Sequence, residues 1–455
     1  MGGMILLFVA LLGSAAGWLV GDRTTRMAAL EREANRALEE AGDLQNRAKW
    51  TEALEAVKRA EGILASGGNQ GVRDRVRERR KDLEMVLRLE LIRLPPAVAG
   101  MDGRQNDKAT DTAYAEAFRE YGIDVDTLDP QEAAERIRGR SVLLELASAL
   151  DHWAGTRRAI SQGDDAGWKR LVAVARAADL DEWRNELRDA WEHRRIETLN
   201  KLATSAPRKD LPAQTWLLLC LFNGGMSHQV EQALLRQAQH KFPDDYWINF
   251  KLAWTLDHSP PPYSQPDEAV RYYTATVAVR PRNLPGRWYL AQALLQRGKF
   301  EEAFAEYQMC IEVQKESGGQ NGKYHNVLAW HLSNCPDPKL RDPGLAIELA
   351  TQAVELNRGE GSFWNTLGVA HYRAGHWKQA IAALEKAMPL HRSQHESYDM
   401  YFLAMAYWQL DEKEKAREFY DRAVRWMEKN ESRNDELRGF RGEAAELLGV
   451  KEKKD

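Results

Sequence analysis

His391 and His395 stand four residues apart with Glu396 alongside, a spacing at which two imidazoles on one helix face can share a metal ion. Pro389 ends a helix just before them and no distant third ligand accompanies them, so the triplet predicts no metal site. Asp124, Asp126 and Asp129, in "DVDTLDPQEAAERI", lack the central glycine and the twelfth-position glutamate of a calcium loop. They read as a turn followed by a cap, with Asp129 capping the helix that Pro130 opens. Cys220, Cys310 and Cys335 are odd in number, far apart and without CxxC spacing, which predicts ordinary thiols. His325, His331, His371 and His376 read as groove or core residues. No GxSxG, phosphate-binding loop or HExxH occurs. The expectation is a protein with no catalytic, cofactor or metal residues. A net charge of −4 likewise argues against a nucleic-acid surface.

Binding chemistry remains. The chain holds 15 tryptophans, and aromatic side chains desolvate readily and anchor peptides. Trp247, Phe250 and Trp254, then Trp288 and Gln292, Asn326 and Trp330, Asn365 and Tyr372, and Tyr401 and Trp408 recur just off apolar packing positions of successive helices. The candidate protein-binding set is Trp247, Trp254, Trp288, Trp330, Asn365, Tyr372, Tyr401 and Trp408.

These residues are positioned by a repeat of about 34 residues. In "WNTLGVAHYRAGHWKQAIAALEKAM", Trp364, Leu367, Gly368, Ala380, Leu384 and Ala387 form a rhythm of large and small side chains. Leu290, Ala291, Ala303, Tyr307 and Cys310 match it, as do Leu403, Ala404, Ala416, Tyr420 and Ala423. Trp50, Ala53, Val57 and Ala60 repeat its second half early in the chain. Two further copies carry insertions: "YWINFKLAWTL" pairs with "PDEAVRYYTATVAVRP", and "NVLAWHL" with "PGLAIELATQAVEL". The spacing predicts helix pairs whose small residues sit where helices cross, stacked into a right-handed coil with a concave inner face. A terminal helix over 435–448 is expected to cap the stack.

The rhythm resembles tetratricopeptide repeats, over about half the chain from 211 to 448. More specifically, "YAEAFREYGIDVDTLDP", "LAWHLSNCPDPKLRDPGLAIELA" and "SFWNTLGVAHYRAGHWKQAI" resemble the non-catalytic C-terminal region of bacterial receptor-type serine/threonine protein kinases. The kinase's own Gly-rich loop, catalytic Asp loop and Asp-Phe-Gly are absent. The resemblance implies a non-catalytic scaffold that binds a protein or peptide, or a sensory portion or partner of a kinase system. The carboxylate-clamp type of repeat needs a Lys and Arg pattern that is missing beside Asn326 and Asn365.

The expected organisation is all-α: a membrane anchor or signal segment over 1–22, a repeat-like hairpin region over 23–94, a helical middle region over 95–211 and a tetratricopeptide solenoid with capping helix over 212–450. Helices are expected from Thr24 to Leu94 with a break at 65–71, then over Tyr114–Tyr121, Pro130–Leu150, Trp168–Ala178 and Trp183–Leu202, after a linker "AGMDGRQNDKATD". Residues 2–21 carry no charge and as a helix would extend about 30 Å, the depth of a bilayer core. A single-pass anchor in a bacterial membrane is the first reading. A cleavable signal, giving a secreted or periplasmic protein, is the alternative. Gly13, Gly17 and Gly21 lie on one face and suit a homodimeric pairing of such helices. Arg23 and Arg26 favour a cytoplasmic body, whereas the kinase resemblance can place this region beyond the membrane, so the side stays open.

Overall fold

The computed structural model describes residues 25–65, 67–93, 103–161, 163, 165–205, 211–222, 227–319, 321–390, 396–430 and 434–450. Among them every regular element is helical, with no strand. None of these helices is long and apolar enough to cross a membrane. The anchor expected over 2–21, its glycines Gly13, Gly17 and Gly21, and the pair His391 and His395 lie outside the described residues.

The chain divides into two compact units, Met1–Thr255 with Ser259–Tyr263, and Leu256–His258 with Ser264–Asp455. The first holds α1 (25–46), α2 (Trp50–Leu64), α3 (Gln70–Arg93), α4 (Gly103–Tyr121), α5 (Pro130–Arg138) and α6 (Leu143–Ile160). It continues through α7 (Ala166–Ala178), α8 (Glu182–Glu192), α9 (Ile196–Ser205), α10 (Ala213–Leu221), α11 (His228–Lys241) and most of α12 (Tyr246–His258). A single core runs from Ala34 to Ala178, through both the 23–94 block and much of the 95–211 block set by sequence.

Three boundaries differ from expectation. Helix α4 starts at Gly103, inside the expected linker, and Asp111, at the end of that stretch, accepts from Trp153 Nε1 at 2.6 Å and Arg157 Nε at 2.7 Å. The stretch expected as one helix from Pro130 breaks between Arg138 and Leu143, and that from Trp183 breaks at Arg194, which adopts a left-handed φ of 53°. The cap at Asp129 is present, accepting from Gln131 N at 2.9 Å.

The second unit contains α13 (Pro266–Val279), then the pairs α14 (Leu284–Gln296) with α15 (Phe300–Glu316), α16 (Lys323–Asn334) with α17 (Pro343–Leu356), α18 (Gly361–Arg373) with α19 (Trp377–Ala387) and α20 (Glu396–Gln409) with α21 (Lys413–Asn430). Helix α22 (Asp435–Leu448) follows, at the expected bounds. The first helices of the later pairs lie side by side, α16 against α18 and α18 against α20. They make up the unit's inner face.

The repeated positions of the second helices are interior in three copies, since Ala303, Tyr307 and Cys310, Ala380, Leu384 and Ala387, and Ala416, Tyr420 and Ala423 are all buried, whereas Trp364 is half-buried. The same turn recurs within pairs. His376 N donates to His371 O at 2.9 Å across Gly375, whose φ is 78°; Lys299 N to Leu294 O and Glu412 N to Tyr407 O repeat the bond at 3.0 Å. In the first unit Lys49 N donates to Leu44 O at 2.9 Å across Ala48, so α1 and α2 form a pair of the same design. Such a bond satisfies carbonyls left over at the end of the first helix while reversing the chain.

Gly368 shows why small residues are needed where the helices cross. A Cβ there would stand 2.5 Å from Leu384 Cγ and 3.2 Å from Ala380 O. Gly368→Val should therefore destabilise the second unit by roughly 1–3 kcal/mol through overpacking. Gly62→Ala, in α2 with nothing within 4 Å of the new methyl, should be neutral or stabilising by about 0.5–1 kcal/mol. Urea unfolding followed by circular dichroism measures both. Equal effects of the two substitutions would refute the close-approach account.

Candidate functional site

Among the described residues no group of His, Cys, Asp and Glu is arranged to hold a metal ion. All three cysteines are buried, and burial pushes the Cys220 and Cys310 thiols up to about 12. Arg188, in α8, is fully buried and held by Asp151 Oδ2 at 2.9 Å and Asp179 Oδ2 at 2.9 Å. Burial by itself would lower its guanidinium, but the two carboxylates outweigh that and hold it above its ordinary range. Asp179 is shared with Arg184 at 2.6 Å, and the space beside the cluster is no larger than a water molecule. This cluster ties α6 to α8 and leaves no room for a substrate.

The aromatic set separates by environment. Trp288 is buried between Tyr307 and Tyr324, ring centroids 5.5 and 5.8 Å away. Tyr401 is fully buried with its hydroxyl on Met427 Sδ at 3.4 Å. Both are core residues, since the spacing that suits a groove also suits packing between pairs. Tyr372 is buried between Trp377 and Phe402, and burial pushes its hydroxyl up to about 12. Asn365 Nδ2 donates to Asp399 Oδ1 at 2.8 Å, tying α18 to α20. In the first unit Trp247 donates to Glu90 at 2.7 Å beneath Arg93 of α3. Trp254 is 38% exposed with Lys251 over its ring, and Trp408 is partly exposed with Lys413 over it.

Trp330 is part of a surface shared by several pairs. Its ring meets Tyr398 at 5.9 Å, and Tyr398 stands one turn before Phe402 on α20. Arg373, at the end of α18, lies over Phe402 at 5.2 Å and donates to Asn334 Oδ1 at 3.1 Å. Trp330, Asn334, Arg373, Tyr398 and Phe402 thus set aromatic rings and one cation on the inner face of α16, α18 and α20. Sequence reasoning missed Arg373, Tyr398 and Phe402. The aromatic pair at i, i+4 in "SYDMYF" was the available signal.

This face is already occupied. Phe440 of α22 stacks edge-on against Trp330 at 5.9 Å and Phe402 at 4.9 Å. Glu436 accepts from Trp330 Nε1 at 2.9 Å and from Tyr398 Oη at 3.2 Å. Glu443 takes a two-pronged contact from Arg373, at 2.9 Å for Nη2. One aromatic ring and two carboxylates of α22 thus cover the side shared by α16, α18 and α20.

The tetratricopeptide family model matches residues 264–312 and 339–395, and a second tetratricopeptide model matches 400–430. These segments are tetratricopeptide repeats. The matched segments lie in the second unit and take in α13 to α15, α17 to α19 and most of α20 and α21, while Trp330 and Asn334 on α16 lie between them. Solved structures that share the similarity include YrrB, described as a TPR protein with an unusual peptide-binding site, at 17% identity and a TM-score of 0.34, covering 43% of this chain and 93% of that one. The MamA protein matches at 16% identity and a TM-score of 0.34, covering 42% and 95%. PilF of Pseudomonas aeruginosa matches at 14% identity and a TM-score of 0.36, covering 53% and 97%. No curated protein sequence matches the chain.

His331, beside Trp330, stacks on Tyr307 at 5.9 Å, and burial lowers its pKa to about 4. A base whose folded pKa lies below its unfolded value of roughly 6.5 stabilises the fold above that value, and the contribution is lost as pH falls toward 4. Stability should thus decline between pH 6.5 and 4, and His331→Phe should remove about 1–2 kcal/mol of the loss at pH 5. Urea midpoints at pH 7 and pH 5 measure this. An unchanged difference in the variant would contradict the assignment.

Proposed function

We propose that the protein is a non-catalytic tetratricopeptide scaffold that binds another polypeptide on the inner face of its second unit. The observation carrying this reading is the surface of Trp330, Tyr398, Phe402 and Arg373, which is complementary to a helix and holds one. Aromatic anchors with one planar, fork-shaped cation are the chemistry of a polypeptide hot spot, not of proton transfer. Asn365 supports the surface through Asp399 and Tyr372 through Phe402, and Trp408, beneath Lys413, is a separate aromatic contact on α20. Trp254 is an additional aromatic contact in the first unit. Affinity purification from native cells with the full chain, against a Trp330→Ala, Arg373→Ala variant of equal helicity, tests the reading. At least one polypeptide should be recovered by the parent and depleted tenfold or more from the variant. Identical recoveries would defeat it.

The uncharged stretch 2–21 supports attachment to a bacterial membrane, with pairing through Gly13, Gly17 and Gly21, and the resemblance to receptor-kinase C-terminal regions supports a place in kinase signalling. Expressed at full length, the protein should stay in the membrane fraction after alkaline extraction and deletion of 2–21 should release it. Complete recovery of the parent in the soluble fraction would reject the anchor.

A further inference from the structure

Helix α22 reaches back across the first helices of three successive pairs: Phe440 meets Phe402 of α20, Glu443 meets Arg373 of α18, and Glu436 meets Trp330 of α16. A helix that only closed the stack would need to cover α20 and α21 alone. Its contacting residues fall at i, i+4 and i+7, the stripe by which a groove reads an amphipathic helix. The face it covers offers an indole N–H, a phenol O–H and a guanidinium, each answered by a carboxylate. Those groups complement a ligand's charge, which a purely apolar packing seam does not require.

The helix is capped at both ends, by Asn434 accepting from Leu437 N and by the left-handed Gly449, but its interior is weakened. Gly439 and Gly442 lie in its interior and face open space, so packing demands neither, and each lowers helicity relative to alanine. A helix of 14 residues is marginal in water by itself. Leu437, Ala444 and Leu448 are buried when it is docked, which makes the docked state the resting one.

We propose that this face is a docking groove for an amphipathic helix of another protein, one presenting an aromatic ring with a carboxylate four residues before it and another three residues after. Helix α22 is the in-chain stand-in for that ligand and is displaced when it binds. The proposal rests on the polypeptide-binding reading above and names the partner's chemistry and its control. A tethered occupant at an effective concentration in the millimolar range lowers apparent affinity in proportion to the fraction of time the groove is open.

The test is fluorescence anisotropy with a labelled synthetic peptide of residues 434–449 titrated into the full chain and its variants. Phe440→Ala with Glu443→Ala in the chain should bind the peptide at least tenfold tighter than the parent. Adding Arg373→Glu to that background should lose at least tenfold, and a peptide carrying Glu443→Lys should recover most of the loss, which an unfolded groove could not do. Gly439→Ala with Gly442→Ala, which strengthens the docked helix without touching the groove, should weaken peptide binding several-fold relative to the parent. Equal affinity in parent, release variant and helix-strengthened variant would overturn the proposal. So would a dimer of the parent that Phe440→Ala dissolves, because the occupant would then be a second copy. Peptide binding that follows the expected order while affinity purification recovers no polypeptide would leave the groove standing and defeat the functional reading instead.

Discussion

The approach of Gly368 to Leu384 sets the geometry on which the second unit depends. Helices that cross at a glycine or alanine come within a side chain's thickness of each other, and large neighbours then interlock around the crossing. Ala291 and Ala404 occupy the corresponding place in the α14–α15 and α20–α21 pairs, and both are fully buried. With the pairs held at one spacing, their first helices must lie side by side, and residues that point away from the crossings are gathered into one face. Trp330, Arg373 and Tyr398 are neighbours for that reason, though 68 residues separate the outer two.

Two arginines illustrate how burial turns the same chemistry to different ends. Arg188 is 1% exposed, with carboxylates from two elements closed around it, so its charge is neutralised permanently inside the first unit. Arg373 sits at the end of α18 with its side chain 14% exposed, held by Asn334 Oδ1 of α16 as well as by Glu443 of α22. Removing the partner of Arg188 would strand a buried charge. Removing that of Arg373 would still leave the guanidinium bonded to Asn334 Oδ1, which makes this contact the more exchangeable of the two.

Much of the fold is written in local pattern. Period, pair composition, the cap at Asp129 and the bounds of α22 follow from spacing and from the conformational preferences of Gly, Pro and Asp. The left-handed turns at Gly298 and Gly375 follow similarly, but Ala48 and Asp411 adopt the same conformation without a glycine, held by the recurrent bond across the turn. Extents that depend on distant partners were misjudged. Asp111 of α4, read as part of a linker, is held from α6, and the break at Arg194 carries no proline or glycine to announce it.

The sequence by itself determined that helices pair, which residues lie where they cross and that aromatic side chains recur beside those positions, because these depend on residues within one repeat. Only the tertiary structure decided which aromatics face outward. Trp288 and Tyr401 are enclosed by neighbouring pairs, while Trp330 meets a helix whose contacts begin 106 residues further along the chain. The physical reason is that a helical period assigns a side chain to a face but not what covers it, and cover is supplied by segments remote in sequence.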